Sequence, residues 1–152
     1  MIERTIEELI REYVENGRMM QIATANGDQP WSCTVYYASD KDLNLYWISQ
    51  PNTRHSKEIH ENPKVAASIP IKFDDLTVVG VQLEGEASLM EDSDEIKEKV
   101  KLYSDKFNHG DEWLKDFIAS NNPHKLYKIK PTLFVIFDRV NFPDDSRKEW
   151  RP

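Results

Sequence analysis

The spacing of apolar residues changes along the chain, and each change marks a predicted element. Near the start, apolar side chains recur every three or four positions, which predicts a helix that packs on a sheet and that Asn16-Gly17 ends with a left-handed residue. The apolar positions of this helix are Ile2, Ile6, Leu9, Ile10, Tyr13 and Val14. From Met20 the period falls to two, and Asn26-Gly27 is a strong hairpin signal. The sequence therefore begins with a predicted helix and a predicted β-hairpin.

Two more alternating segments follow the predicted hairpin turn. Residues 31–37 direct one set of side chains to an apolar face and the other set to a polar face. The apolar set is Trp31, Cys33, Val35 and Tyr37, and the polar set is Ser32, Thr34 and Tyr36. A turn at residues 39–42 leads into a further alternating run, residues 43–49. Together with the strand that starts at Met20, these runs predict a three-stranded meander.

The rest of the chain mixes helical and strand patterns. A short helix is predicted for residues 53–61, capped by Asn52 or Thr53 and stopped by Asn62-Pro63. Strands are predicted for residues 65–71, 76–91 and 126–140, and helices for residues 93–107 and around residues 113–118. Gly80 and Gly85 are candidate bulges or points of close approach. Six antiparallel strands with helices as inserts indicate an α+β fold built on a six-stranded barrel.

Length and composition narrow the class of protein. A chain of 152 residues suits one compact domain, residues 1–152, that needs no metal or disulfide for stability. The net charge of −7 argues against a nucleic-acid partner, and no apolar run approaches the roughly 20 residues of a membrane span. The mixed charges of the first residues are wrong for a secretory signal, so we expect a cytoplasmic protein. The single cysteine, Cys33, is expected to be an unreactive buried thiol.

Residues 49–57 form the most chemically informative segment. They gather two permanent cations, one histidine and three hydroxyl groups where a predicted strand leads into a helix N-terminus. These residues are Arg54 and Lys57, His55, and Ser49, Thr53 and Ser56. Free N–H groups and the positive end of the helix dipole favour an anion at such a position, and phosphate fits best. The same residues also fit a solvated helix with a basic first turn, because no glycine-rich phosphate loop is present.

The strand predicted at residues 31–37 is a second candidate. Its extended backbone could offer N–H and C=O groups to the polar edge of a planar heterocycle, although a half-buried strand explains the same pattern. No metal site is predicted, because His60, His109 and His124 lack metal-ligand spacing. Common catalytic motifs are not predicted either. The Gly-x-Ser-x-Gly, Gly-x-Gly-x-x-Gly and P-loop patterns do not occur.

The order and spacing of these segments resemble the pyridoxamine 5′-phosphate oxidase-like flavoproteins over residues 19–91. The matching segments are IATA (22–25), NG (26–27), QPWSCTV (29–35), LYWIS (45–49), TRHSKEI (53–59), ENPKVA (61–66) and VQLEGEA (81–87). The resemblance implies an FMN-binding split barrel that forms a homodimer, with two FMN sites at the subunit interface.

The resemblance also assigns roles by position. Ser32, Cys33, Thr34 and Val35 would run along the edge of the flavin ring, Ile48 and Ser49 would contact the flavin or its phosphate, and Arg54 with His55 would grip the phosphate, beside Thr53 and Lys57 in the same turn. The family often has Arg or Lys where this chain has Ser32 and His55. The chain also lacks the Arg-containing ending associated with true pyridoxamine-phosphate oxidases, so it is more similar to the uncharacterised oxidase-related branch.

The expected function follows from this resemblance. It implies an FMN-dependent oxidoreductase or flavin reductase that exchanges a hydride with a small molecule through the flavin N5. The cofactor supplies that chemistry, and the protein supplies orientation and electrostatics. Three alternatives remain open: a module that stores or senses flavin without turnover, a barrel that holds a deazaflavin or heme, and a degenerate site on a dimeric scaffold.

Overall fold

The computed structural model describes residues 3–152 and confirms an α+β fold of one curled antiparallel sheet with flanking helices. Ile2, part of the predicted apolar stripe, lies outside the described residues. Within them the elements are α1 (Ile6–Asn16), β1 (Met19–Asn26), β2 (Gln29–Tyr36), β3 (Ala38–Ser39), β4 (Leu45–Ser49), α2 (Arg54–Glu61), β5 (Lys64–Lys72), β6 (Val79–Leu89), α3 (Ser93–Phe107), α4 (Asp111–Ile118), β7 (Lys125–Asp138) and β8 (Arg147–Trp150).

The sheet has eight strands over this part of the chain, two more than expected. The strand order is β2-β1-β5-β6-β7-β4-β3, and β8 also pairs with β7. The six longer strands correspond to the six predicted ones. The two additions, β3 and β8, have only two and four residues, too short for an alternating pattern to reveal them.

The predicted three-stranded meander is wrong, because β4 pairs with β7 and not with β2. The chain turns away after β3, where the Asp40 carboxylate accepts hydrogen bonds from the backbone N–H groups of Asp42 and Asn44. Leu43 then adopts a left-handed conformation (φ 63°), so it precedes β4 instead of beginning it. Of the three strands in the predicted meander, the first two do pair with each other, as a hairpin with Gly27 at φ 60° in its two-residue turn.

The first helix begins as its sequence suggests but ends differently. Thr5 and Glu8 form a reciprocal capping box at its N-terminus. Gly17 follows the helix with φ −62°, so the prediction of a left-handed residue there is wrong. Glycine fits this position for a steric reason, since a Cβ would overlap the Tyr37 hydroxyl and lie 2.7 Å from Ile69 Cγ2.

In the part of the chain that the structure describes, two apolar clusters hold the elements together. The main core lies between α1 and the inner face of the sheet, and its largest side chain, Trp47, stacks on Tyr127 with ring centroids 5.3 Å apart. A second cluster joins α3 and α4 to the outer face of β4, around Tyr46 and Val100. The sheet is thus covered on both faces near β4, whereas β2 stays at an open edge. Within residues 3–152, no helix is long and apolar enough to cross a membrane.

Candidate functional site

The second helix begins at Arg54, one short turn after β4 ends at Ser49, and Thr53 is its N-cap, as the sequence predicts. The Thr53 hydroxyl accepts the backbone N–H of Ser56 (3.4 Å) and lies 2.9 Å from the carbonyl oxygen of Gln50 and 2.8 Å from Ser56 Oγ. The first N–H groups of a helix lack partners within the helix, and a threonine cap satisfies one of them. The turn therefore holds its hydroxyl groups in a fixed arrangement at the start of α2.

Ser49 and His55 meet across this turn. Ser49 Oγ lies 2.6 Å from His55 Nε2, and Thr53 Oγ1 lies 3.3 Å from the same nitrogen. Burial lowers the pKa of the His55 imidazole, and the negative charge of Glu58 partly offsets this effect. The ring is consequently uncharged at neutral pH, where its nitrogen pairs with a hydroxyl group. The structure brings these three predicted residues together, but as a neutral cluster.

Arg54 connects α2 to the β1–β2 hairpin. Its guanidinium carbon lies 4.0 Å from the centroid of the Trp31 ring, which is a cation–π contact. Its Nε donates to Glu58 Oε2 over 3.4 Å, and Glu58 Oε1 accepts from the Thr24 hydroxyl, also over 3.4 Å. Thr24 and Trp31 are directly opposite each other in the hairpin. Side chains from β1, β2 and α2 therefore converge on one guanidinium and one carboxylate.

The predicted residues on β2 divide between its two faces. Cys33 and Val35 pack against the main core, whereas Ser32 and Thr34 are exposed on the other face. Trp31 is on the same face as Cys33, so Arg54 and the Ser32 and Thr34 side chains lie on opposite sides of the strand. The Cys33 thiol is half-buried, and burial raises its pKa to about 11, so it is protonated at neutral pH.

Two predicted site residues lie apart from the cluster that Arg54 and Glu58 form with the β1–β2 hairpin. The Ile48 side chain packs against the second apolar cluster beneath α3 and α4. Lys57 lies almost a turn beyond Arg54 and lines a groove of about 650 Å³ together with His60, Ala87 and Tyr127. Among residues 3–152, no three His, Cys, Asp or Glu side chains are grouped so that they could hold a metal ion.

Glu58, Thr24 and Trp31 also belong to the cluster, although none of them is among the predicted cofactor-binding residues. One signal was available, because Arg54 and Glu58 are four residues apart on a predicted helix, the spacing of an ion pair. The contribution of the hairpin residues depends on the tertiary packing of β1 against α2.

Curated relatives match a little more than half of the chain. A UPF0306 protein from Photorhabdus laumondii is 27% identical over 86 residues, which are 55% of this chain and 60% of that protein. A UPF0306 protein from Pasteurella multocida is 28% identical over 101 residues, which are 64% of this chain and 66% of that protein. The match thus spans less than two thirds of either relative.

Solved structures with the same fold cover more of the chain at low identity. A heme-binding protein from Mycobacterium smegmatis has a TM-score of 0.77 at 15% identity, over 99% of this chain and 60% of that one. A putative pyridoxamine 5′-phosphate oxidase from Listeria innocua has a TM-score of 0.68 at 22% identity, over 88% and 99%. A FAD-binding protein from Mesorhizobium loti has a TM-score of 0.67 at 19% identity, over 86% and 90%.

The match to a known protein family covers α2 and most of the sheet. A model of the family described as pyridoxamine 5′-phosphate oxidase matches residues 6–134, from the start of α1 into the middle of β7. Since this match covers most of the chain, the protein belongs to the pyridoxamine 5′-phosphate oxidase family.

Proposed function

We propose that this protein binds FMN, with the phosphate at the N-terminus of α2 and the flavin ring along the open edge of β2. The observation that carries the proposal is the contact between Arg54 and Trp31. It joins the strand expected to run along the flavin to the helix expected to hold the phosphate. A single FMN molecule could contact the strand with its ring and the helix with its phosphate.

The groups at the start of α2 suit a phosphate. Arg54 is about half exposed, so its guanidinium can reach a ligand from solvent. Ser49 and Thr53 supply hydroxyl groups, and the dipole of α2 adds a positive field. His55 is a neutral donor or acceptor here, not the permanent cation common in the family. The permanent charge for the phosphate would therefore come from Arg54, with Lys57 as a more distant contribution.

The edge of β2 suits both a flavin ring and a second subunit. Within residues 3–152, strand β2 pairs with β1 alone, so a row of its backbone groups has no strand partner there on the other side. Three large apolar side chains are exposed on this hairpin: Met19, Trp31 and Tyr36. Exposed apolar surface beside an open edge is typical of an interface, which supports a homodimer with the cofactor between the subunits.

Within this proposal the protein orients the cofactor and the cofactor carries the redox chemistry. Bound FMN supplies hydride transfer, and the residues described here would hold the phosphate and limit the access of water to the ring. We propose an oxidoreductase or flavin reductase that acts on a small molecule. A module that stores or senses flavin is the alternative, and steady-state oxidation of reduced nicotinamide by the loaded protein would separate the two.

Heme is the second candidate ligand. The observation in its favour is His60, an exposed imidazole on the wall of the 650 Å³ groove, whose floor includes Ile59, Ala87 and Tyr127. A histidine can ligate heme iron from such a wall. The heme-binding protein from Mycobacterium smegmatis has the same fold, although fold alone does not transfer a ligand.

Purified protein mixed with FMN and then desalted should keep the visible absorbance of an oxidised flavin, at one FMN per chain, and should elute at twice the mass of the chain by light scattering. The spectrum checks the ligand, and the molar mass checks the dimer. Loss of the flavin on desalting, together with an intense Soret band after incubation with hemin, would reject FMN in favour of heme.

The pH dependence of stability tests the state of His55. Because burial lowers its pKa in the folded protein, the unfolded chain binds more protons, and stability rises with pH in that range. The contribution of the neutral ring should be complete above about pH 6.5, the usual histidine pKa, and lost as the pH falls toward and through the lower folded value. Urea unfolding of wild type and His55→Gln at several pH values measures this. A stability difference that does not shrink on acidification would contradict it.

A further inference from the structure

We propose that Glu58 is a positioning residue that works with Trp31 to orient the Arg54 guanidinium toward the phosphate of the ligand. This inference rests on the proposed function, and it assigns a role to a carboxylate that the phosphate-binding chemistry alone would not call for. An anion is an unexpected neighbour for a phosphate site, so its presence needs a physical reason.

The position of Glu58 provides the first part of that reason. Only 7% of its side chain is exposed, although it belongs to a short helix at the rim of the barrel. A buried carboxylate is costly unless it is paired. Its partners are the Arg54 guanidinium, one helical turn earlier, and the Thr24 hydroxyl from β1. The carboxylate thus fixes one edge of the guanidinium relative to the sheet.

The geometry of Arg54 provides the second part. Arg54 donates to Glu58 through Nε, and the guanidinium makes no other hydrogen bond or ion pair with residues 3–152. The guanidinium carbon lies over the Trp31 ring, 4.0 Å from its centroid. These two contacts hold the guanidinium at its carbon and at Nε, and the half-exposed side chain keeps its two terminal Nη groups within reach of a ligand. The Nη groups of an arginine form a fork that binds a phosphate through two parallel hydrogen bonds.

If Glu58 repelled the phosphate instead of orienting Arg54, its removal would change the FMN affinity in the opposite direction. If Glu58 only adds negative charge beside the phosphate, its removal should strengthen the binding of FMN. If Glu58 orients Arg54, removal should weaken FMN binding and leave the binding of riboflavin, which lacks the phosphate, unchanged. The ratio of FMN affinity to riboflavin affinity therefore separates positioning from repulsion and from a general loss of structure.

The experiment measures both affinities for wild type, Glu58→Leu and Glu58→Gln by flavin fluorescence quenching. Glu58→Leu should lose about tenfold in FMN affinity, the value of one hydrogen bond to a charged group. Glu58→Gln keeps an acceptor for Nε and should stay within about threefold of wild type. In an Arg54→Ala background, Glu58→Leu should cause no further loss, because there is no guanidinium left to orient.

Trp31, the exposed partner of Arg54, allows a second test that does not require replacing a buried residue. Trp31→Leu should lose FMN affinity selectively, and Trp31→Phe, which keeps an aromatic face, should recover most of it. Unchanged or tighter FMN binding by Glu58→Leu, or parallel losses of FMN and riboflavin, would overturn the positioning role. Failure of the proposed function is a separate result, because wild type would then bind neither flavin, and the inference would fall with it.

Discussion

Replacing Arg54 with alanine should weaken FMN binding by about a hundredfold, because two charge-assisted hydrogen bonds of about 1.5 kcal/mol each would be lost. Riboflavin affinity should change far less, since the lost contacts are to the phosphate. Isothermal titration or fluorescence quenching with both ligands measures the difference. Arg54→Lys should be intermediate, because it keeps the charge but not the planar fork that sits over Trp31.

Lys57→Ala is the matched control for this prediction. It removes one positive charge from the same helix. Lys57 lines the groove beside His60, however, and is not part of the contact between Arg54 and Trp31. A general electrostatic field would make the two substitutions similar, whereas a specific contact makes Arg54 dominant. Equal losses in the two variants would move the phosphate away from Arg54. Unfolding curves of both proteins are needed, because Arg54→Ala also leaves the buried Glu58 carboxylate without its positively charged partner.

The helices and the six longer strands could be predicted from the sequence because each depends on local periodicity, whereas β3 and β8 are too short to show one. Helix α2 is an example, since the capping threonine, the apolar Ile59 and the terminating Asn62-Pro63 all lie within a few residues of one another. The pairing of β4 was not readable. A strand with one apolar face alternates in the same way whether its neighbour is β2 or β7, and β7 begins about 75 residues later in the chain.

The candidate site likewise combines residues that are close in the sequence with residues that only the tertiary fold brings together. Ser49, Thr53 and His55 lie within one turn of the chain, so their proximity follows from the strand-to-helix junction. Trp31 reaches Arg54 only because the hairpin register and the packing of α2 place them together. Polarity alone identified the exposed side chains on β2, but it could not reveal that Arg54 approaches the opposite face of that strand.

Two glycines in β6 lie beside irregularities of the sheet, and alanine substitutions at these positions test how closely the strands must approach there. Each faces a register shift in a neighbouring strand: Gly80 is next to the shift at residue 71 of β5, and Gly85 is next to the shift at residue 132 of β7. A Cβ on Gly85 would overlap the Lys130 carbonyl oxygen and lie 2.9 Å from Pro131 Cα. A Cβ on Gly80 would lie 3.2 Å from the Ile69 carbonyl oxygen.

Gly85→Ala should therefore lower the free energy of unfolding by about 3 kcal/mol, at the upper end of the usual cost of overpacking. The obstacle is the backbone of Lys130 and Pro131, which cannot rotate away as a side chain can. Gly80→Ala is the matched control in the same strand and should cost about 1 kcal/mol or less, because a small shift relieves a 3.2 Å contact and alanine restricts the unfolded chain. Urea unfolding of both variants measures the difference. Similar losses would mean that the β6–β7 pairing adjusts easily, and the close approach at Gly85 would then not be what curls the sheet around the candidate site.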